Sequence, residues 1–305
     1  MRNNIWVFGG TGFIGSHITQ QLAQNPENRV ILLVHKSLPS VHFENVITLQ
    51  RELEDVSLAD FKRFTPSQIF HLARFGATNP LFRLFSANKG AKANKRLLGE
   101  IEQLDKQPAI NYVSGSLMYG AQQDIAYENA PLNPVGFARP YIDGESPFIE
   151  KQQSGLNIHF HRPGWILGPS SWFKIFFWDY YKKTNKIPYY GSGEQLMSII
   201  SVEDCASLII HASNLLEHGK DQNIFIYEPI SQMQFSQTIA SALNTSIEQV
   251  STNEVKRQYD WHTAEALTTS IPIGTLNDKI IKNYKPINPN LSEVIKDVLV
   301  ELQKN

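Results

Sequence analysis

The chain has 305 residues, of which 28 are lysine or arginine and 29 are aspartate or glutamate, so its net charge is -1. A near-neutral chain gives no electrostatic reason to bind nucleic acid or an anionic membrane, so a small-molecule partner is favoured. Cys205 is the only cysteine, which excludes an intrachain disulfide and favours a reducing compartment such as the cytoplasm. The start of the chain carries no apolar signal region and no apolar run could span a bilayer, so the sequence predicts a soluble, unprocessed protein.

Short apolar runs alternate with amphipathic stretches through the first half of the chain. Strands are predicted at residues 5–8, 29–34, 46–49, 68–72, 109–114 and 157–162, and helices between them at residues 14–24, 57–64 and 81–104. This alternation indicates a parallel sheet covered on both faces, since each crossover helix packs back onto the sheet. The sequence therefore predicts an α/β fold of the Rossmann type, with a doubly wound parallel sheet.

The composition changes after Arg162-Pro163, where residues 172–181 are rich in aromatic side chains. We predict a Rossmann domain over residues 1–163 and, mainly, a smaller C-terminal substrate-binding lobe over residues 164–305, with some segments returning to the Rossmann domain. Helices are predicted in that part at residues 203–216, 233–243 and 292–303. The aromatic residues either form the core of the lobe, which is the commoner case, or line a pocket for a bulky apolar substrate.

A glycine loop follows the first predicted strand and opens the first predicted helix. Its spacing, Gly10-x-Gly12-x-x-Gly15, in that context is the fingerprint of dinucleotide binding. Glycine lets the backbone approach a pyrophosphate, and the free N–H groups at a helix start favour its negative charge. We therefore predict NAD(P) binding, with contacts from Gly9, Gly12, Phe13, Ile14 and Gly15.

The choice between NAD and NADP depends on the end of the second strand, where an acidic residue would bind the ribose of NAD. Here that strand ends in His35 and Lys36. A cation and a potential cation in this place suit a 2′-phosphate, which favours NADP. The two residues are almost as well explained as a solvated strand end, so NAD stays open.

These residues, taken with later landmarks, resemble the extended short-chain dehydrogenase/reductases, the family of NAD-dependent epimerases and dehydratases. The resemblance covers most of the chain and includes the glycine loop, although Phe8 stands where a threonine is usual. It implies that Glu52-Leu53 contacts adenine, that Leu72-Ala73 lines the cofactor, and that Asn88 is the asparagine of the central helix. Further matches are Arg162-Pro163, Gly168-Pro169, residues 191–195 and residues 201–206.

Members of this family use a tyrosine as acid or base, a lysine that holds the nicotinamide ribose, and a Ser or Thr that polarises the substrate oxygen. The tyrosine position falls on Tyr141, the lysine position on Glu145, and the hydroxyl position on Gly115. A carboxylate near a phenol disfavours its ionised form, so Tyr141 is expected to serve as a neutral proton donor while Glu145 accepts hydrogen bonds from the ribose. Ser116 or Asn88 would assist catalysis, and Ser114 would contact the cofactor.

The backbone around Glu145 departs from the family pattern as well. A proline inside a helix removes one hydrogen bond and clashes with the preceding turn, so Ser146-Pro147 is expected to form an N-cap followed by a helix start. Lys151 lies on a different face from Tyr141 and does not replace the missing lysine. His159 and His161 lack acidic or thiol neighbours, so no metal is assigned.

Two functions remain open at this point. The first is a divergent NAD(P)-dependent oxidoreductase or epimerase/dehydratase that acts on a carbonyl or alcohol, such as a nucleotide sugar. The second is a non-catalytic NAD(P)-binding sensor or scaffold, which Gly115 and Glu145 favour. The resemblance also implies a homodimer, formed through the helix at residues 81–104 and the helix after Ser146.

Overall fold

The computed structural model describes residues 2–35, 42–74 and 80–304, with only the backbone described for residues 80–85. The chain divides into two compact units. The first unit comprises Met1–Ser114, Pro140–Arg162 and Ala206–Gln222, and the second comprises Gly115–Arg139, Pro163–Cys205 and Asn223–Asn305. Each unit is therefore assembled from three separate stretches of the chain.

The regular elements follow one another in chain order. The part up to residue 163 contains β1 Asn3–Phe8, α1 Phe13–Ala23, β2 Asn28–Val34, β3 Val46–Gln50, α2 Leu58–Arg63, β4 Gln68–His71, α3 Pro80–Ile101, β5 Ala109–Val113, α4 Tyr141–Gln153 and β6 Ile158–Pro163. The remainder contains β7 Trp165–Leu167, α5 Asp179–Thr184, β8 Lys186–Tyr190, β9 Leu196–Met197, β10 Ile199–Ser201, α6 Val202–Ser213, β11 Gln222–Ile224, β12 Ile230–Ser231, α7 Gln232–Ala242, β13 Ser246–Val250, α8 Thr252–Gln258, α9 Trp261–Thr268, α10 Asp278–Lys282 and α11 Leu291–Lys304.

The largest sheet has seven strands in the order β11-β6-β5-β4-β1-β2-β3. β1 lies between β2 and β4 and pairs with both in parallel, so Trp6 stands beside Ile31 on one side and Ile69 on the other. These central residues are fully buried because helices cover both faces of a parallel sheet. The predicted doubly wound α/β fold is confirmed. The strand order reverses between β1 and β4, where open α/β sheets bind their ligands.

The core of the first unit is apolar and aromatic. Trp6 and Phe61 pack with ring centroids 4.7 Å apart, and the Trp6 indole donates a 2.7 Å hydrogen bond to the carbonyl of Phe64. The indole therefore buries its apolar body without leaving its N–H unsatisfied. α2 begins at a capping box in which the Ser57 side chain accepts from the backbone N–H of Asp60.

The prediction that a helix starts after Glu145 is wrong. α4 runs without interruption from Tyr141 to Gln153 and contains Pro147 in its interior. Contacts from elsewhere in the first unit hold the turn before the proline. The amide of Asn94 donates to the carbonyl of Gly144 over 2.8 Å, and Glu145 is fixed by an ion pair. This packing outweighs the local preference of Ser146-Pro147 for a helix start.

The second unit has its own core, and the aromatic segment at residues 172–181 contributes to it. Phe173 and Phe177 are fully buried and stacked, with ring centroids 5.9 Å apart, and Trp178 is buried as well. β8 and β13 pair in parallel, as do β7 and β10. No helix in the described part of the chain is long and apolar enough to cross a membrane.

Candidate functional site

The glycine loop joins β1 to α1 within the first unit. Gly9 has a φ of +80°, and a Cβ at this position would lie 2.7 Å from the backbone nitrogen of Ala73. A Cβ on Gly15 would lie 2.1 Å from the carbonyl oxygen of Gly9. Only glycine fits at either place, since real Cβ atoms do not approach backbone so closely. The loop consequently packs directly against the chain that follows β4.

The start of α1 is open to an anion. Gly12 is the N-cap residue and is exposed, no side chain caps the helix, and its first turn contains no acidic residue. Such a helix start presents free N–H groups and a partial positive charge, which suits a phosphate. The residues fit the pyrophosphate of a dinucleotide, and the structure brings Gly9, Gly12, Phe13, Ile14 and Gly15 together in this loop. Their contact with a cofactor remains a prediction.

Phe8, which replaces the usual threonine, has a packing role. Its side chain is fully buried. The ring meets the edge of Trp6 with centroids 6.0 Å apart and that of His71 with centroids 5.6 Å apart. The substitution therefore adds apolar contacts below the loop and leaves the loop backbone intact.

Charged side chains gather at the end of β2, where the resemblance places the adenosine. His35 Nε2 lies 3.0 Å from one oxygen of Glu52, and Lys89 Nζ lies 3.2 Å from the other. Lys89 also pairs with Glu54 over 3.2 Å. Lys36 lies outside the described residues, and Leu53 is buried. Glu52 is the residue predicted to contact adenine. Each oxygen of its carboxylate therefore lies against a side chain that can carry positive charge, His35 on one oxygen and Lys89 on the other.

α4 places Tyr141 and Glu145 one turn apart, and Glu145 is 1% exposed. One of its oxygens lies 2.6 Å from Nη2 of Arg162, and the other accepts a 2.5 Å hydrogen bond from the hydroxyl of Ser114. The guanidinium of Arg162 also reaches Asp221 over 3.1 Å. Glu145 is thus one member of a buried charge network that joins α4, β5 and β6.

This network engages two predicted cofactor contacts. Both carboxylate oxygens of Glu145 have protein partners, and the Ser114 hydroxyl donates its hydrogen bond to that carboxylate. The negative charge also affects Tyr112, because burial and then the Glu145 carboxylate raise the pKa of its phenol. A ribose hydroxyl that bound Glu145 would therefore share the carboxylate with Arg162 and Ser114.

A second polar chain leads from the sheet to α4. His71 Nε2 lies 3.0 Å from the Asn94 side-chain oxygen, and the Asn94 amide donates to the carbonyl of Gly144. Since the Asn94 NH₂ group donates to Gly144, its oxygen accepts from the Nε2–H of His71. Burial lowers the pKa of His71 to about 4, so the ring is neutral near pH 7. Asn94 therefore links α4, the helix that begins at Tyr141, to β4 through two hydrogen bonds.

The sequence did not single out Asn94 or Arg74. The sequence feature that could have pointed to Asn94 is its position after Asn88 on the same helix, α3. Arg74 directly follows Leu72-Ala73, and its guanidinium carbon lies 5.3 Å from the centre of the Tyr141 ring. Arg74 Nη2 also donates to the backbone carbonyl of Ser114. No local pattern marks this contact, because 67 residues separate Arg74 from Tyr141.

The other predicted residues lie elsewhere. Asn88 is exposed on α3, and Ser116 is buried in a short 3-10 turn of the second unit. His161 Nε2 lies 2.9 Å from the side-chain oxygen of Asn111, and His159 Nδ1 lies 2.8 Å from the carbonyl of Lys220. Burial lowers the pKa of both histidines, to about 3 for His161. Within residues 2–35, 42–74 and 80–304 no group of three potential metal ligands occurs.

Comparison with known proteins gives the same architecture. The chain is 26% identical over 269 residues to a dTDP-4-dehydro-6-deoxy-D-allose reductase from a Streptomyces species, covering 78% of this chain and 81% of that protein. The human epimerase family protein SDR39U1, solved with NADPH, superposes with a TM-score of 0.75 at 19% identity, over 98% of this chain and 100% of that one.

A dTDP-glucose 4,6-dehydratase from Streptomyces venezuelae, solved with NAD bound, superposes with a TM-score of 0.76 at 16% identity, over 99% of this chain and 97% of that one. Residues 5–226, most of the chain, match the NAD dependent epimerase/dehydratase family. The chain belongs to the NAD-dependent epimerase/dehydratase family.

Proposed function

We propose that this chain binds NADP or NAD at the glycine loop and acts as an oxidoreductase or epimerase/dehydratase on the carbonyl or alcohol of a nucleotide sugar. The proposal rests on the start of α1 at Gly12, which no side chain caps. This helix start follows β1, at the point where the strand order reverses between β1 and β4. Relatives support the substrate class, since the Streptomyces reductase is named for a dTDP-sugar. The tight packing of Gly9 against Ala73 supports the rigid loop that such binding requires.

Tyr141 is the proposed proton donor. A bound reduced nicotinamide would supply a hydride to the carbonyl carbon, and Tyr141 would give its proton to the carbonyl oxygen. The helix that carries Tyr141 is held by the Asn94 hydrogen bond to Gly144 and by the Glu145–Arg162 ion pair. Such support orients the phenol, because a reacting group must be held close to its working geometry. Ser116 and Asn88 remain the proposed assisting residues.

We favour NADP as the cofactor. His35 stands at the end of β2 in place of the acid that would bind the ribose of NAD, and Lys36 follows it in the sequence. The carboxylate of Glu52 lies against His35, so an NADP phosphate would have to share His35 with that carboxylate. The human relative was solved with NADPH and the dehydratase with NAD, and both cofactors therefore need to be measured.

The first experiment is titration of the purified protein with NADPH and NADH, following nicotinamide fluorescence and melting temperature together. A ligand that binds only the folded state raises the melting temperature, so the two signals should rise together. Tighter binding of NADPH than NADH would support the cofactor preference, and equal binding would contradict it. Binding of neither would contradict the dinucleotide site.

Glycine variants separate loss of binding from loss of folding. A Cβ at position 12 would lie 3.2 Å from the carbonyl oxygen of Gly9, and apart from its chain neighbours no other heavy atom of the described residues lies within 4 Å. Gly12→Ala should therefore fold but bind NADPH at least roughly tenfold more weakly, because the methyl group obstructs the pyrophosphate. Gly15→Ala should also lose folding stability. Tight NADPH binding by Gly12→Ala would exclude the loop as the site.

A non-catalytic NAD(P)-binding sensor or scaffold is the second candidate. It is favoured by one observation, the engagement of Glu145 and the Ser114 hydroxyl with each other and with Arg162. A screen of nucleotide sugars and simple carbonyls distinguishes the two functions. Cofactor oxidation that disappears in Tyr141→Phe would establish an enzyme. Cofactor binding without turnover of any compound in the screen would favour the sensor.

A further inference from the structure

The charge beside Tyr141 is arranged differently from the family pattern. The family places a lysine one helical turn after the tyrosine, whereas this chain has Glu145 there. Glu145 is 1% exposed, and its carboxylate lies 2.6 Å from the guanidinium of Arg162. This short, buried pair compensates part of the Glu145 charge, because the same guanidinium also pairs with Asp221 over 3.1 Å.

A positive charge reaches Tyr141 from another element. Arg74 follows β4, and its guanidinium carbon lies 5.3 Å from the centre of the Tyr141 ring. An arginine within about 6 Å of an aromatic ring is in range for a cation–π interaction. Arginine stays protonated at every relevant pH, so this charge is permanent.

The position of Arg74 is held by the backbone of β5. Its Nη2 group donates to the carbonyl of Ser114 and lies 3.5 Å from the carbonyl of Val113. Ser114 uses its hydroxyl to bind Glu145, so the same residue contacts both the displaced carboxylate and the arginine. Arg74 and Glu145 are therefore both in contact with Ser114.

We infer that Arg74 supplies, from the end of β4, the positive charge that the family's lysine supplies from the tyrosine helix. This inference rests on the proposed function, in which Tyr141 exchanges a proton with the substrate. Negative charge builds up on the phenol oxygen as the proton leaves, and the guanidinium stabilises it. Glu145 and Arg162 then position α4, and they do not take part in the proton transfer.

The reactivity of the phenol tests this inference without a known substrate. An aryl sulfonyl fluoride is attacked at sulfur by the phenolate oxygen, fluoride leaves, and the proton of the phenol passes to the buffer. Peptide mapping by mass spectrometry measures the rate at Tyr141. Tyr127, which is 40% exposed and lies in the second unit, serves as the internal reference in every sample.

Arg74→Gln should lower the labelling rate of Tyr141 about threefold to tenfold relative to Tyr127, since it removes the positive charge that stabilises negative charge on the attacking oxygen. Arg74→Lys keeps the charge and should retain most of the rate. Arg96→Gln, which removes an exposed arginine from α3, is the matched control and should change nothing. If Arg74 only held the structure in place, Tyr141 would be labelled as slowly in Arg74→Lys as in Arg74→Gln.

Two results would overturn the inference. One is an unchanged Tyr141 rate in Arg74→Gln, and the other is an unlabelled Tyr141 in the wild-type protein while Tyr127 reacts. The NADPH titration is run on the same variants. Failure of NADPH to bind the wild-type protein would contradict the proposed function, whereas the labelling rates would still report the charge beside Tyr141.

Discussion

Restoring the family's lysine at position 145 should destabilise this protein. In Glu145→Lys a second cation would stand against the guanidinium of Arg162, which now lies 2.6 Å from the carboxylate. The Ser114 hydroxyl would lose its acceptor as well. The side chains of Glu145 and Arg162 are only 2% and 4% exposed, so water cannot replace the lost contacts.

The expected loss of stability follows from the burial of the Glu145–Arg162 ion pair. Removing one partner of a buried ion pair costs about 3–5 kcal/mol, and a like charge in its place costs at least as much. A typical domain has a free energy of unfolding of about 5–15 kcal/mol, so Glu145→Lys should lose a large share of it. Glu145→Gln keeps the shape and an acceptor for Ser114, and Asp221 still pairs with Arg162. Its loss should therefore be smaller, about 1–3 kcal/mol.

Urea unfolding followed by circular dichroism measures these losses as shifts of the midpoint. Lys151→Gln is the matched control, because Lys151 on the same helix forms a 2.5 Å ion pair with Glu102. Those side chains are 37% and 35% exposed, so the control should lose less than about 1 kcal/mol. If Glu145→Lys lost no more stability than Lys151→Gln, the buried network would not be holding α4 in place.

Two further predictions concern the first unit. Gly99→Ala should raise the free energy of unfolding by up to about 1 kcal/mol, because a Cβ there meets no described atom within 4 Å outside the adjacent backbone of α3 and alanine favours a helix more than glycine does; an unchanged or lower urea midpoint would contradict this. Burial lowers the pKa of His71 from 6.5 to about 4, so only the unfolded chain binds a proton as the pH falls between these values. The contribution of His71 to the free energy of unfolding is therefore complete above pH 6.5, and the free energy of unfolding falls by up to roughly 3 kcal/mol towards pH 4. In His71→Phe this part of the pH dependence should be shallower, although Asn94 loses a hydrogen-bond partner; an identical pH dependence would show that the histidine contributes nothing.

The sheet and the glycine loop could be predicted because their signals are local. Alternating apolar strands and amphipathic helices report which segments are buried, and the loop spacing between β1 and α1 lies within a few residues. The predicted strands and helices accordingly lie close to those observed. Gly15 could be recognised in the same way, since the atom that its Cβ would meet belongs to nearby Gly9, whereas the close approach at Gly9 is to Ala73, which is distant along the chain.

The charges around Tyr141 could not be predicted in this way. The family resemblance predicted that Glu145 stands at the lysine position, but Arg162 and Ser114 meet Glu145 only because β5 and β6 are adjacent in the sheet. Arg74, which follows β4, also contacts Tyr141 through the order of the strands and not through a nearby position in the sequence.

The helix around Pro147 shows how local preference and tertiary structure can disagree. Ser146-Pro147 alone favours a helix start, whereas Asn94 and Arg162 hold the preceding turn in place. The sequence by itself determined the fold class and the position of the glycine loop, because hydrophobic periodicity and glycine spacing act over short distances. Only the tertiary structure decided which charges surround Tyr141, because those side chains are distant along the chain and meet through the order of the strands.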